Sequence, residues 1–333
     1  MDISFFLKKI DFESGVTVSV KHLCSNLDET DITYEVITYE DDADLYEKVK
    51  NCNSKCINLQ VPSFSDEVLE KILAIKDNVV ISIHSTLCNL QVEEGSLSRL
   101  LRLGNTDNKN LRFTCPAKCE CDGLNAIMKR EYIYLPNTFS YPCSDEYVAS
   151  LIDSKKSLDR TIKISLVCAY RPLKNMITQV AAVIMLAKEY NIELHMFDSN
   201  FQSSVYKDIL DMAKYNNLEI VMHPQMANFD CFRETSEFDL GLQVSLSETF
   251  SYVAFEHMIQ GIPIVGSDSV KFSSEIVKYS DVNEIYAGMK KIIENSEVYK
   301  NYCHSAREKA LQVQKQNSED AVAAIRQMIC IEK

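Results

Sequence analysis

The stretch Asp239–Asp268, DLGLQVSLSETFSYVAFEHMIQGIPIVGSD, passes from one short apolar run, through a polar turn and a helical pattern, into a second apolar run. Leu240–Val244 and Pro263–Gly266 have the length and branching of buried strands, and Phe250–Gln260 carries apolar residues at helical spacing. A strand, a crossover helix and a second strand in one short segment point to parallel pairing.

The same rhythm extends in both directions. Upstream in the second half, strands are expected at Ile162–Cys168, Ile192–Phe197 and Glu219–Met222, with helices at Asn175–Tyr190 and Ser204–Tyr215. In the first half, strand patterns fall at Ile3–Leu7, Ile32–Thr38, Cys56–Val61, Val79–His84, Leu111–Thr114 and Tyr132–Leu135, with amphipathic stretches at Val16–Leu27, Ala43–Lys50 and Glu67–Ile75. Alternation of this kind marks α/β architecture. The rhythm breaks over Pro136–Arg160, at two prolines and the polar run DSKKSLDR. The expected organisation is therefore an N-terminal domain over 1–140, a linker over 141–158, a second domain over 159–294 and a helical segment over 295–333.

Composition narrows the function classes. The chain has 333 residues, 46% hydrophobic and 25% charged, with no apolar run near the roughly 20 residues that span a bilayer. The N-terminus, MDISFFLKKIDFESG, reads as a first strand and not as a secretion signal. Twelve cysteines occur without a single C-x-x-C pair, so reduced thiols in a cytoplasmic setting are expected, and no metal site. A net charge of −13 gives no general field for nucleic acid or anionic lipid. One segment departs from this. Ser96–Arg130 carries Arg99, Arg102, Lys109, Arg112, Lys118, Lys129 and Arg130 against Asp107, Glu120 and Asp122, which makes it +4. If those cations share one face, they would favour an anionic partner.

In open parallel sheets, ligands bind beyond the carboxyl ends of the strands, so residues just after strands matter most. After Leu240–Val244 comes Glu248, at the turn before a helix expected to start near Thr249. Glu256 lies eight residues on, two helical turns, which puts both carboxylates on one side. The amides of Phe250, Ser251 and Tyr252 would form an anion site at the helix start. An anion flanked by two carboxylates suits a nucleoside diphosphate sugar, whose hydroxyls donate to carboxylates. After Ile162–Cys168 come Arg171 and Lys174, two cations placed to clamp a diphosphate. Ser14-Gly15-Val16, preceded by Glu13, follows the first strand, and His84 ends the strand NVVISIH. Asp41-Asp42-Ala43-Asp44 contains a D-x-D, but it opens an amphipathic helix, where acidic residues suit the first turn. No G-x-x-x-x-G-K-[ST] or G-x-G-x-x-G loop is present.

Glu248, Phe250, Glu256 and Gly261-Ile262-Pro263-Ile264-Val265 together resemble the donor motif of retaining GT-B glycosyltransferases, with its two glutamates eight apart. The resemblance implies two Rossmann-like parallel-sheet domains facing a central cleft, the C-terminal helix packing back across it. It implies that Glu248 binds the donor sugar and Glu256 the ribose, that Thr249, Phe250, Ser251 and Gly15 lie near the nucleotide sugar, and that Arg171 and Lys174 stabilise the leaving diphosphate. His84 would contact the transferred hexose or pentose, and Pro136-Asn137 would form the inter-domain turn. The donor would be a UDP-sugar in preference to a GDP-sugar. Transfer would retain configuration and need no metal, because Arg171, Lys174 and the helix start supply the positive charge. The acceptor is an unidentified hydroxyl, with a lipid phosphate, an acidic glycan or DNA as anionic candidates. A transferase acting on hydroxymethylated bases in DNA, and a GT-B scaffold that binds without catalysis, are the alternatives.

Overall fold

The computed structural model describes residues 1–9, 14–106, 108–128, 130–140, 143–155, 160–198, 204–226 and 228–330. The chain forms two compact units, Met1–Tyr141 with Gln314–Lys333, and Pro142–Val313.

The first unit runs β1 (Ile3–Lys8), α1 (Gly15–Leu27), β2 (Tyr34–Tyr39), α2 (Asp42–Asn51), β3 (Cys56–Gln60), α3 (Asp66–Leu73), β4 (Val79–Ser82), α4 (Leu87–Val92), α5 (Ser96–Gly104), β5 (Leu111–Cys115), α6 (Lys118–Ile127) and β6 (Tyr132–Tyr134). Its six strands are all parallel, in the order β2-β1-β3-β4-β5-β6. Strand periodicity divides the core cleanly. Ile3, Phe5 and Leu7 pack on one face with Val20, Leu23 and Leu27 of α1, while Phe6, Leu59 and Ile81 pack on the other with Leu69 and Ile72 of α3.

The second unit continues with α7 (Asp145–Ser154), β7 (Ile162–Leu166), a 3-10 turn (Pro172–Lys174), α8 (Met176–Leu186), β8 (Ile192–Phe197), α9 (Ser204–Tyr215), β9 (Glu219–His223), α10 (Asn228–Thr235), β10 (Leu240–Gln243), α11 (Tyr252–Ile259), β11 (Ile264–Gly266), β12 (Glu275–Ile276), α12 (Val282–Ile292) and α13 (Ser296–Ile329). Its sheet is parallel in the order β12-β11-β10-β7-β8-β9, the strand order of dinucleotide-binding folds. The order reverses between β7 and β10. From Gln314 onward α13 belongs to the first unit, where Ala321, Ala324, Ile325 and Met328 join the face that holds α1.

Within the stretch 141–158 runs helix α7. The Ser144 hydroxyl caps it by accepting the Tyr147 N–H at 3.2 Å, and Val148 and Ile152, four apart, enter the core of the second unit. The D-x-D run is likewise a helix start: Asp41 accepts the Asp44 N–H at 2.9 Å, Asp42 accepts the Ser65 N–H at 3.0 Å, and Asp44 pairs with Lys48. All twelve cysteines are unpaired. Cys168 lies past the end of β7 and not within a strand.

Helix α11 ends in a Schellman motif. Gly261 N–H donates to Met258 O and Ile262 N–H to His257 O, both at 3.0 Å, and Gly261 sits at φ +73°. A Cβ there would come within 2.8 Å of Ile152 Cδ1. Gly261→Ala is therefore expected to destabilise the protein by about 1–2 kcal/mol, the usual cost of a left-handed L-residue, read as a lower urea midpoint. Gly15→Ala, where a Cβ meets nothing within 4 Å, is expected to leave the midpoint unchanged or raise it slightly.

Candidate functional site

The reversal between β7 and β10 forces their following loops apart, and the loops are then stitched together. Leu246 N–H donates to Leu173 O at 2.8 Å. Asn175, in the left-handed region at φ 53°, donates through Nδ2 to Val244 O (3.1 Å) and Tyr279 O (2.7 Å). Gln179, fully buried, accepts the Val244 N–H at 2.8 Å and donates to Lys174 O at 2.8 Å. These three links fix the position of Lys174 relative to Glu248. Neither Asn175 nor Gln179 is among the residues expected from sequence, although an asparagine directly after the Arg-Pro-Leu-Lys run is a recognisable left-handed turn signal.

Lys174 Nζ lies 2.5 Å from Glu248 Oε1, with both side chains largely buried. The expected phosphate-binding cation and sugar-binding carboxylate thus meet each other. Arg171 begins the same 3-10 turn, is exposed, and makes no ion pair among the described residues.

Helix α11 starts later than its sequence suggests. Ser251 is its N-cap, accepting the Ala254 N–H at 3.3 Å and donating to Gln243 Oε1 at 3.1 Å. Ser247–Phe250 is therefore loop, and the shared helical face of Glu248 and Glu256 does not exist. The first-turn amides belong to Tyr252 and Val253, not Phe250. Because its hydroxyl is committed to the cap, Ser251 offers a ligand its backbone and not its side chain. Phe250 anchors the loop through ring contacts with Tyr252, Phe255 and Phe272 at 5.0, 5.7 and 5.4 Å, and Thr249 lies half-buried in the same turn. Glu256 is 1% exposed, with Oε1 buried and unpartnered among the described residues, and burial pushes its carboxyl up to about 8.

In the first unit, His84 stands two residues past β4. Its Nε2 is 2.7 Å from Gln60 Oε1. A carbonyl oxygen only accepts, so Nε2 carries the proton and Nδ1 remains an acceptor. Burial pushes the imidazole down to about 4, which keeps it neutral. Gln60 belongs to a buried polar chain. It donates to Asn58 Oδ1 and to Ser82 Oγ, and Thr114 Oγ1 donates to Ser82 Oγ at 2.8 Å. Four polar residues inside strands of Val, Ile and Leu were a legible signal for this cluster. Gly15 is exposed at the first turn of α1, and Glu13 lies outside the described residues.

The basic segment does not form one face. Arg112, at the amino end of β5, donates to Asn78 Oδ1 (2.7 Å), Gln327 O (3.0 Å) and Met328 O, and Arg130 is spent on the carbonyls of Gly104, Thr106 and Leu111. Arg99 and Arg102 lie beyond the carboxyl end of β3, near Pro62 and Asp66. Asp107 and Lys129 are outside the described residues. Backbone carbonyls that end helices and strands compete for guanidinium donors, which disperses charge that is contiguous in sequence.

No protein-family model matches the chain, and no curated protein matches it by sequence. Solved structures do. The chain is similar to sucrose-phosphate synthase from Thermosynechococcus elongatus, with 13% identity, a TM-score of 0.74 and 98% of each chain covered. It is similar to Anabaena Alr3699/HepE in complex with UDP and glucose, with 13% identity, a TM-score of 0.68, and 97% of this chain and 100% of that one covered. It is also similar to WaaG, a glycosyltransferase involved in lipopolysaccharide biosynthesis, with 12% identity, a TM-score of 0.67, and coverage of 97% and 98%. At such identities the likeness is one of fold, and the fold is GT-B. Among the described residues, no helix is long and apolar enough to cross a membrane.

Glu256 gives the stability a definite pH dependence. Its carboxyl is higher in the folded chain than in the unfolded one, so the folded state holds the extra proton. The penalty is absent below about pH 4.5, grows as pH rises, and is complete above about 8. Glu256→Gln is expected to be neutral at pH 4.5 and to stabilise by about 3 kcal/mol at pH 7, at 1.36 kcal/mol per pH unit. Urea unfolding of both proteins at pH 4.5, 6 and 7.5 measures this, and parallel curves would exclude a buried neutral carboxyl.

Proposed function

We propose that the protein is a glycosyltransferase that moves a sugar from a nucleoside diphosphate sugar, with UDP favoured, to a hydroxyl acceptor. The observation that carries this reading is the meeting of Lys174 and Glu248 at 2.5 Å at the reversal point of the second sheet, where ligands of such folds bind. In this reading exposed Arg171, three residues before Lys174, joins it on the diphosphate, and Glu256, whose buried Oε1 has no partner among the described residues, serves the ribose. The Anabaena HepE structure, which is in complex with UDP and glucose, has the same fold.

In this reading the diphosphate draws Lys174 away from Glu248 and adds Arg171, so both cations face the charge that develops on the departing nucleotide. Glu248, released, accepts hydrogen bonds from hydroxyls of the transferred sugar, and Glu256, carrying a proton, can both donate to and accept from the ribose diol. In the first unit, His84 Nδ1 is free to accept from a sugar hydroxyl. Configuration is retained, with the leaving phosphate oxygen taking the proton of the acceptor hydroxyl as the new glycosidic bond forms on the face it leaves. With Lys174 and Arg171 both on the diphosphate, a divalent ion is unnecessary for the leaving group.

The pairing of Lys174 with Glu248 sets a test with opposite signs. Glu248→Gln frees Lys174, so UDP binding is expected to tighten by about tenfold, equivalent to ~1.4 kcal/mol, while turnover of UDP-sugar falls by at least tenfold. Lys174→Ala is expected to weaken both. Arg171→Ala is expected to lower kcat by about 100-fold, in line with the loss of one oxyanion donor. Calorimetry with UDP, together with donor hydrolysis assayed in EDTA, reads all three. A strict requirement for a divalent ion, or UDP affinity unmoved by every substitution, would overturn the proposal.

A further inference from the structure

Within the first unit, beyond the carboxyl ends of β3 and β4, lies a cavity of about 340 Å3 whose walls include Val61, His84, Ser85, Glu93 and Arg99. That volume is near the lower end of the roughly 300–1,000 Å3 of small-molecule sites, so it suits one small ligand and not a polymer. Arg99, on α5, is held from several sides. Its guanidinium lies 5.4 Å from the centroid of the Phe64 ring, Nη1 donates to Pro62 O, and Nε is 3.6 Å from Asp66 Oδ1. Nη2 is buried and has no hydrogen-bond partner among the described residues. A buried guanidinium donor left unpaired is uncommon and costly.

The local charge points the same way. Asp66 also serves Arg102, at 3.2 Å, so one carboxylate faces two guanidinium groups. Glu93 is occupied by the Ser85 hydroxyl at 3.1 Å from each oxygen, and both Glu93 and Glu94 are exposed to water, which screens them. The Arg99 side chain is only 23% exposed and is screened far less. The backbone is also unusual here. Val61, a β-branched residue, sits at φ 62° in the left-handed region, held by its N–H to Ser82 O at 3.1 Å and by Ser63 N–H to its own carbonyl at 2.8 Å. Such strain gathers at ligand sites, and it stands next to the Pro62 carbonyl that receives Arg99.

We propose that this cavity takes an acidic monosaccharide as the acceptor, its phosphate or carboxylate accepting from Arg99 Nη2 and its hydroxyls meeting Ser85 and His84. The assignment rests on the sugar-transfer reading above, and it replaces an extended cationic face with a single largely buried guanidinium.

The test titrates glucose 6-phosphate, glucuronate, glucose and inorganic phosphate by calorimetry into the full chain, into Arg99→Met and into Lys118→Met, a control at an exposed cation, with UDP in parallel. An acidic sugar is expected to bind at least tenfold more tightly than glucose. Arg99→Met should erase that difference, Arg99→Lys should restore part of it, and Lys118→Met should keep it whole. Whichever acidic sugar binds more tightly identifies the anion as phosphate or carboxylate. Equal affinity for glucose and the acidic sugars, no binding of the acidic sugars at millimolar concentration, or a preference unmoved in a folded Arg99→Met overturns the proposal. So does inorganic phosphate binding as tightly as the sugar phosphate, which would leave a bare anion site. UDP that fails to bind the unmodified chain would bring down the donor reading instead, because Arg99→Met is expected to leave UDP affinity unchanged.

Discussion

A doubly wound parallel sheet sends its chain in opposite directions at one point, and there the backbone groups at two strand ends lose their neighbours. In the second unit that point lies between β7 and β10. The carbonyl and amide of Val244 are satisfied by the side chains of Asn175 and Gln179, and Gln179 also holds Lys174 O. Unpaired backbone groups at a buried strand end would be costly, so the repair is a condition of folding and not an ornament. Its by-product is a fixed distance between the loops that carry Lys174 and Glu248. Much of the remaining geometry in this unit, including the cap at Ser251 through Gln243, follows from the same need to satisfy polar groups where strands stop.

A second theme is that ionisable groups at both candidate sites are held neutral or paired. Lys174 and Glu248 neutralise each other, Glu256 is pushed up to about 8, and His84 is pushed down to about 4. Burial penalises charge that has no partner, and each group escapes that penalty in its own way. The arrangement leaves reactive capacity without isolated buried charge. Arg99 departs from the pattern, since it keeps its charge, shares its one carboxylate with Arg102, and leaves one donor nitrogen unused.

The polar residues buried in the first sheet show how function can be built into a core without breaking it. Asn58, Gln60, Ser82 and Thr114 sit in adjacent parallel strands and bond to one another toward the carboxyl ends, with His84 as the outermost member. Cooperative networks of this kind orient a terminal group more firmly than a single bond would. His84 therefore presents a defined tautomer, while the apolar residues on the opposite faces of the same strands carry the packing.

Much of this protein was decided by its sequence. Short β-branched runs between helical patterns gave parallel α/β units, because burial on both faces demands apolar strands and leaves a readable period of two or 3.6. Glu248, Arg171 and Lys174 were legible as charges just beyond strands, and Glu256 as a second carboxylate eight residues on. Their mutual arrangement was not. The sequence suggested that Glu248 and Glu256 share a helix face, and only the fold revealed Ser251 as the cap, because capping depends on where Gln243 ends its strand. The basic run Ser96–Arg130 looked like one surface, yet Arg112 and Arg130 turn to backbone carbonyls, and Arg99 keeps a buried Nη2 without a partner among the described residues. Helix and strand formation follow local periodicity. The partner of a charged side chain is chosen by whichever polar group, often distant in sequence, the fold has left unsatisfied nearby.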